Sequence, residues 1–506
     1  MATGQDSLKN VGTKRHIKDL REYIDALRSI GELQDVAEEV DWDLEIGAII
    51  RRVYETSAPA PLFNNVKGFP RDYRVLGAPA ATGRQAGLQL ARVALSLGLD
   101  PHATGREMIE SLVSARQRDG IAPVRVPTAP CKENIALGDD IDLFQFPTPL
   151  IHGGDGGRYF NTWGVLIVQS PDKKWTNWTI SRMMIADKNK LVGLVAPSQH
   201  LGMIHKMWSD IGKPTPFAIA QGCEPFLPFV CAMPLPAFAD EADYAGAYFG
   251  EAIKVVKCET SDLEVPASAE IVVEGTISNT ETASEGPMGE YAGYIWAESI
   301  EQPLFNVTAI TYRNQPILPV VAAGEPIEEN HTVCGITGAA ETLVQLRQNG
   351  IPATMAWMPF ESAAHIMAVS VPVDYRATVD CTKEELCRRI GNIVLSTKLG
   401  VQIPKIMVVH DDVDLTNPKE VTWAFATRCH PDEGEIVLHH RPVYPLSAFV
   451  TKGEKVSLDG PKSVYNCLGP EDWNNTIPRR SSFRFSYPGY LQQKVLSKWK
   501  DYGFEQ

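Results

Sequence analysis

Two glutamates, Glu285 and Glu290, sit in the segment Glu285-Gly-Pro-Met-Gly-Glu290-Tyr-Ala-Gly-Tyr294, where three of the four residues between them are Gly or Pro. Gly and Pro punctuate the backbone, so this is not a helix face but a sharp turn that aims both side chains into one cavity. Two carboxylates beside one guanidinium are a standard way to split two pKa values, one acid staying ionised while the other holds a proton. A guanidinium is available far upstream at Arg182, in Trp175-Thr-Asn-Trp-Thr-Ile-Ser-Arg182. An isolated pair with this spacing is ordinarily a solvated surface loop, so the rest of the chain must decide.

Further polar residues stand in otherwise apolar runs. Asn177 and Arg182 share one strand-like run flanked by Trp175 and Trp178. Gln199-His200 closes the next run, and Glu241 falls in the first turn of an expected helix at Ala239-Asp-Glu-Ala-Asp-Tyr244. Each alone has a structural explanation: local hydrogen bonding for Asn177 and His200, a complement to the helix N-terminus for Glu241. His152-Gly-Gly-Asp-Gly-Gly157 reads as a Gly-rich loop. Asp411, Asp412 and Asp414 follow an apolar strand and read as a solvated strand end rather than a metal site.

These groups need a scaffold, and 506 residues predict two or three domains. With 44% hydrophobic and 22% charged residues the chain has an ordinary globular composition. A net charge of -14 argues against a nucleic-acid partner, so an anionic substrate would need a local cation. The N-terminal residues lack a secretory apolar core, and no run of about twenty apolar residues appears, which predicts no membrane span. Nine cysteines without a CxxC pair fit a reducing, cytoplasmic compartment.

Residues 1–15 are polar and expected to fray. Residues 16–120 predict a small α/β region: helical spacing runs from Ile17 to Ile30 with Gly31 as cap, then over 43–54, 88–99 and 104–115. Short strands are expected near Leu62-Phe63 and Val75-Leu76. Residues 121–325 carry many short strands with frequent turns, predicting a barrel or sandwich. Residues 326–506 return to an α/β layer, with helices over 339–348 and 383–395 and strands near 364–371 and 405–409. Residues 487–503 look like an amphipathic helix for their own domain or a partner subunit.

The ordered motifs WTNWxIxR, QH, DExxYAG, VKCETxDLxVPAxxEIVxEG and EGPxGExxGY, with HDDVDL and WAFATRC further on, resemble the UbiD family of decarboxylases. The similarity runs from about Ile17 to Phe504. It implies an α/β (α+β) chain: a small N-terminal α/β region, a central split β-barrel of flavin-reductase-like type, and a C-terminal α/β oligomerisation domain. It also implies prenylated FMN held through its phosphate by a divalent metal, manganese, with potassium nearby. The matching divalent ligands are Asn177, His200 and Glu241, a hard-ion set. The potassium positions are Trp178, Val230, Cys231, Met233, Glu241 and Arg428, with Cys231 and Ala232 replacing serines of the cinnamate branch. Further cofactor contacts fall at Thr162, Thr179, Ile180, Ser181, Arg182, Gln199 and Lys398, the last at a phosphate-contacting position.

A cofactor also makes chemical sense. Loss of CO₂ from an aromatic or vinylic carbon leaves a carbanion that no side chain can delocalise. Within that scheme Glu290 is the expected proton donor, its pKa raised by burial, while Arg182 and Glu285 form the pair that orients the substrate carboxylate. Met288, Tyr291 and Asn330 are the expected substrate-pocket residues. Asn330 stands where the cinnamate branch has Thr, and an Asn can read a ring N–H. The expected reaction is therefore reversible, non-oxidative decarboxylation of a pyrrole- or indole-carboxylate-like acid, with CO₂ as co-product. Expected partners are a separate flavin prenyltransferase and a second copy in a homodimer. Three alternatives stand: a cinnamate/ferulate-type acrylic acid decarboxylase, a glycosidase using the paired glutamates, and a non-enzymatic metal-binding assembly protein. The glycosidase leaves Asn177, His200 and Glu241 unexplained.

Overall fold

The computed structural model describes residues 14–295, 298–473 and 477–504. Of the tail expected to fray, residues 1–13 lie outside the described residues.

The first helix, Leu20–Ser29, starts where Asp19 accepts the Glu22 N–H, and Gly31 follows it at φ +76°. Its buried face, Leu20, Tyr23, Ile24 and Leu27, covers a four-stranded sheet. Three strands of that sheet come from Leu33–Val36, Ala60–Phe63 and Arg74–Gly77; the fourth, Ile317–Val320, arrives from far along the chain and pairs parallel with Arg74–Gly77. The helix expected over 88–99 is shorter, Ala91–Ser96, and the chain turns away at Gly98, φ +68°.

A nine-stranded antiparallel sheet forms the centre. Its order is Tyr159–Asn161, Met183–Asp187, Lys190–Gly193, Ile300–Tyr312, Ile271–Glu285, Thr215–Gln221, Val165–Gln169 and Thr176–Thr179, with Asn134–Leu137 also pairing Ile300–Tyr312. The register slips at Glu274/Gly275, where a Cβ on Gly275 would lie 2.0 Å from the Asn306 carbonyl oxygen. Such a bulge bends the strand and curls the sheet. The single strand expected over 175–184 is in fact two. Thr176–Thr179 is one edge of the sheet, and Met183–Asp187 lies next to the other. Ile180, Ser181 and Arg182 therefore cross the open side of the half-barrel, which is why they face a cavity rather than a neighbouring strand.

The C-terminal layer is a five-stranded mixed sheet ordered Met355–Trp357, Ile366–Val371, Lys405–His410, Asp459–Asn466 and Glu435–Pro442. The helix Lys383–Leu395 has a Thr382/Glu385 capping box. The helix expected over 339–348 begins ten residues earlier, at Glu329. Its first turns are polar yet buried, so apolar spacing misses them. The helix expected over 487–503 spans Gly489–Ser497, with Tyr490 and Leu496 exposed. Among the described residues no helix is long and apolar enough to cross a membrane.

Candidate active site

The central strand Ile271–Glu285 ends by delivering Glu285, and Gly286 turns the chain at φ +86°. Glu285 is fully buried and forks onto Arg182, Nε to Oε1 and Nη2 to Oε2, both at 2.9 Å. The Tyr159 hydroxyl donates to the same Oε1 at 2.9 Å. Burial and the neighbouring Glu285 push the Tyr159 phenol pKa up, keeping it a donor. Burial works against the Arg182 charge, but its hydrogen bonds to Glu285 win and hold its pKa above the usual value. Glu290 reaches the remaining Arg182 nitrogen, Nη1, in direct contact. One guanidinium thus holds both carboxylates, with a contact at each of its nitrogens.

A second cluster lies behind the first. Asn177, on the strand Thr176–Thr179, donates from Nδ2 to Glu241 Oε1 at 3.0 Å, and the Trp178 N–H donates to Oε2 at 2.9 Å. Glu241 opens the helix Glu241–Phe249, whose N-cap Asp240 accepts the Ala242 N–H. His200 opens the helix His200–Asp210, and Lys398 Nζ lies 3.4 Å from its Nδ1. Burial, then Lys398, lowers the His200 pKa to about 4, so the ring is neutral. Burial raises Glu241 to about 7, against the Trp178 N–H and Lys398. The Asn177 Oδ1 is buried with no hydrogen-bond partner, an acceptor left open.

Between the clusters lies a cavity of about 300 Å³. Thr162, Thr179, Ile180, Ser181, Arg182, Gln199, Lys398 and Cys231 line it, as do Glu290, Met288, Tyr291 and Asn330. Asn177, Trp178, His200, Val230, Met233, Glu241 and Glu285 are not among the lining residues. Val230 and Cys231 lie in the helix Leu227–Ala232, and Met233 caps it; burial and the charge of Glu241 keep the Cys231 thiol protonated. Arg428 is not brought to this group by any side-chain contact. Its guanidinium forks onto Asp412 at 2.8 and 2.6 Å, and Asp414 turns back onto Thr416, so the aspartate cluster forms a paired turn. Among the described residues no three His, Cys, Asp or Glu side chains form a metal-holding group.

Asn330 sits in the first turn of the helix Glu329–Gln348, with Glu328 as its N-cap. Its Nδ2 donates to Glu328 Oε1 and Oε2 at 3.2 and 3.1 Å, and its N–H donates to Oε2 at 2.8 Å. Glu329 accepts from the Tyr54 hydroxyl at 2.5 Å and the Ala80 N–H at 3.0 Å. Burial pushes both Glu328 and Glu329 up from 4.5 to about 7. The folded protein therefore holds these protons more tightly than the unfolded chain. The resulting stability is complete below pH 4.5 and is lost as pH rises through about 7. Glu329→Gln is expected to flatten the fall in the urea midpoint across that range; an unchanged slope would contradict the assignment.

Several site residues escaped sequence reasoning. Tyr159 on Glu285, and Tyr444 and Gln402 on the cavity wall, carry no local motif. Asp155 had a signal, its place inside the Gly-rich loop.

A half-barrel cavity with a shared Arg–Glu–Glu cluster and an amide–imidazole–carboxylate cluster is the candidate active site. Residues 24–112 match the N-terminal domain of 3-octaprenyl-4-hydroxybenzoate carboxy-lyase, 123–326 its Rift-related domain and 331–467 its C-terminal domain, the three UbiD family descriptions. The chain is 42% identical to a pyrrole-2-carboxylic acid decarboxylase of Pseudomonas aeruginosa, covering 97% of this chain and 99% of that one. It is 39% identical to ferulic acid decarboxylase 1 of Saccharomyces cerevisiae, over 96% and 98%. Among solved structures, HmfF of Pelotomaculum thermopropionicum in complex with FMN superposes with a TM-score of 0.78 at 26% identity, over 95% and 99%. The closed form of Sedimentibacter hydroxybenzoicus vanillic acid decarboxylase shares the fold, with a TM-score of 0.81 at 24% identity, over 97% and 100%. The chain belongs to the UbiD family. It is a carboxy-lyase, and the mixed α/β fold expected from the sequence is the fold found.

Proposed function

We propose that this protein is a prenylated-FMN-dependent, reversible decarboxylase of a pyrrole-type heteroaromatic acid. The observation that carries the substrate class is Asn330. The Asn330 amide nitrogen faces both Glu328 carboxyl oxygens, at 3.2 and 3.1 Å, and the Asn330 backbone N–H lands on the same carboxyl. The amide oxygen is left for the cavity, where it suits a ring N–H.

Asn177, His200 and Glu241 fit a divalent ion. The orphaned Asn177 Oδ1 supplies an acceptor, the imidazole is neutral, and the carboxylate is at hand. They would hold manganese and, through it, the cofactor phosphate, with Lys398 as a second phosphate contact; Thr162, Thr179, Ile180, Ser181, Gln199 and Met233 complete the cofactor set. Trp178, Val230, Cys231, Met233, Glu241 and Arg428 are the proposed potassium positions. When bound, the modified flavin supplies the electron sink that the leaving CO₂ requires.

The chain's own residues do the rest. Glu285 and Glu290 together touch all three Arg182 nitrogens, so a substrate carboxylate that takes a bidentate hold on the guanidinium does so by displacing Glu290 from Nη1. Glu290 then stands beside a second negative charge instead of a cation, which favours its taking up a proton. It is thereby poised to protonate the carbon that has lost CO₂. Glu285, locked by Tyr159, keeps Arg182 aimed throughout. Met288 and Tyr291 shape the wall, and the exposed Tyr490 and Leu496 of the last long helix suit a second copy in a homodimer. A separate flavin prenyltransferase would supply the cofactor in the cytoplasm.

The test is enzyme co-produced with that prenyltransferase and assayed for CO₂ release from pyrrole-2-carboxylate, indole-3-carboxylate, furoate and cinnamate. Pyrrole-2-carboxylate is expected to lead. A cinnamate-only profile would overturn the reading in favour of the acrylic acid alternative, consistent with the ferulate relative. Asn330→Thr should lower kcat/KM for pyrrole-2-carboxylate by about 10-fold while furoate changes less, the loss of about one hydrogen bond. Equal losses on both acids would remove Asn330 from recognition.

A further inference from the structure

The Gly-rich loop His152–Gly157 has no part in the chemistry described above. A loop of this composition commonly cradles phosphate with free N–H groups. Here two of those groups turn to the chain itself: the Asp155 N–H donates to the His152 carbonyl at 3.1 Å, and the Gly156 N–H to the Pro287 carbonyl at 2.7 Å. Pro287 lies in the turn between the two catalytic glutamates.

The Asp155 side chain is fully buried and collects three contacts. It accepts the Gly289 N–H at 3.0 Å and the His152 N–H at 3.0 Å, and the His152 Nδ1 lies at 3.1 and 3.2 Å from its two oxygens. Gly289 is the residue immediately before Glu290. The two loops also meet without room for side chains. A Cβ on Gly156 would lie 2.1 Å from the Gly286 carbonyl oxygen, and one on Gly289 would lie 2.6 Å from the His152 ring. The turn is thus pinned from outside at Pro287 and at Gly289, on both sides of Met288.

We infer that Asp155 is a positioning residue for Glu290: its carboxylate, held by His152, fixes the Gly289 amide and so the direction in which the Glu290 side chain leaves the backbone. This rests on the reading of Glu290 as proton donor. An Asp side chain suits the post because backbone N–H groups converge on it from two loops, and its two oxygens can accept them all. The pinning has a chemical purpose, since Glu290 must leave Arg182 and still meet one carbon. An error of about 1 Å in such a placement costs on the order of 100-fold in rate.

The test compares Asp155→Ala and Asp155→Asn with the wild-type holoenzyme on pyrrole-2-carboxylate. Asp155→Ala should lower kcat by about 100-fold with KM within about three-fold of wild type and flavin content unchanged. Asp155→Asn keeps one acceptor oxygen and should fall between the two, which also serves if the alanine variant does not fold. Independently of activity, hydrogen–deuterium exchange of the cofactor-free chain should show residues 285–294 exchanging faster in Asp155→Ala. Unchanged kcat, unchanged exchange, or a joint loss of kcat, KM and flavin would overturn the inference. Glu290→Gln separates the two claims. If it is inactive while Asp155→Ala is normal, the brace alone fails; if it is active, the reading of Glu290 fails.

Discussion

Glu290→Gln should abolish turnover while the protein folds and retains its cofactor. Gln has the same shape and still reaches Arg182 Nη1 through its amide oxygen, so the cavity wall is preserved. What it lacks is a transferable proton. Loss of a positioned general acid costs about 10²–10⁴-fold, and kcat should carry the loss. Proton exchange of the decarboxylated product with D₂O should stop in parallel, because the same group serves both directions. A variant with normal kcat, or one that loses exchange but not CO₂ release over many turnovers, would remove Glu290 from the mechanism.

Arg182→Lys should be nearly as damaging, although it preserves charge. The guanidinium makes three separate connections: two parallel bonds to Glu285 and one to Glu290. An ammonium is a point charge and cannot hold this fork. It would leave part of the fully buried Glu285 carboxylate uncompensated, a cost that buried ion pairs make large. kcat/KM is expected to fall by about 100-fold or more, with the placement of the substrate carboxylate lost. Unlike the Glu290 variant, KM should rise as well, because Arg182 meets the ground-state acid. A lysine variant within a few-fold of wild type would show that bidentate geometry is not needed.

The two sites were legible in the sequence to different depths. Glu285, Glu290 and Arg182 could be paired because Gly and Pro announce a turn and because few cations stand in apolar runs. The structure adds that Arg182 is shared, which spacing cannot reveal. Asn177 and Glu241 were grouped through the family resemblance alone, because their contact spans 64 residues of sequence and no local pattern encodes it. The run from Trp175 to Met184 read as one strand because its apolar residues continue. It is two strands because the sheet curls and the chain must cross its open side. The start of the helix at Glu329 was hidden for the opposite reason: Glu328, Glu329 and His331 are polar and buried, so the apolar period that marks a core face begins only later. In both cases the deviation from a simple pattern lies on the cavity. Local rules fail where the chain serves a ligand.

The loop carrying Asp155 makes a related point. Its composition showed only a Gly-rich loop, and in the fold its glycines allow two backbones to interlock at 2.7 Å. Glycine permits close approach of backbone to anything, including backbone.

The most direct test of the account is a single preparation of this protein co-produced with a flavin prenyltransferase, loaded with manganese and potassium, and given pyrrole-2-carboxylate. The expected result is a flavin absorbance spectrum that travels with the protein, and CO₂ release that disappears when the prenyltransferase is omitted. Metal-loaded protein with no flavin absorbance, and no CO₂ released from any of the four acids, would contradict it.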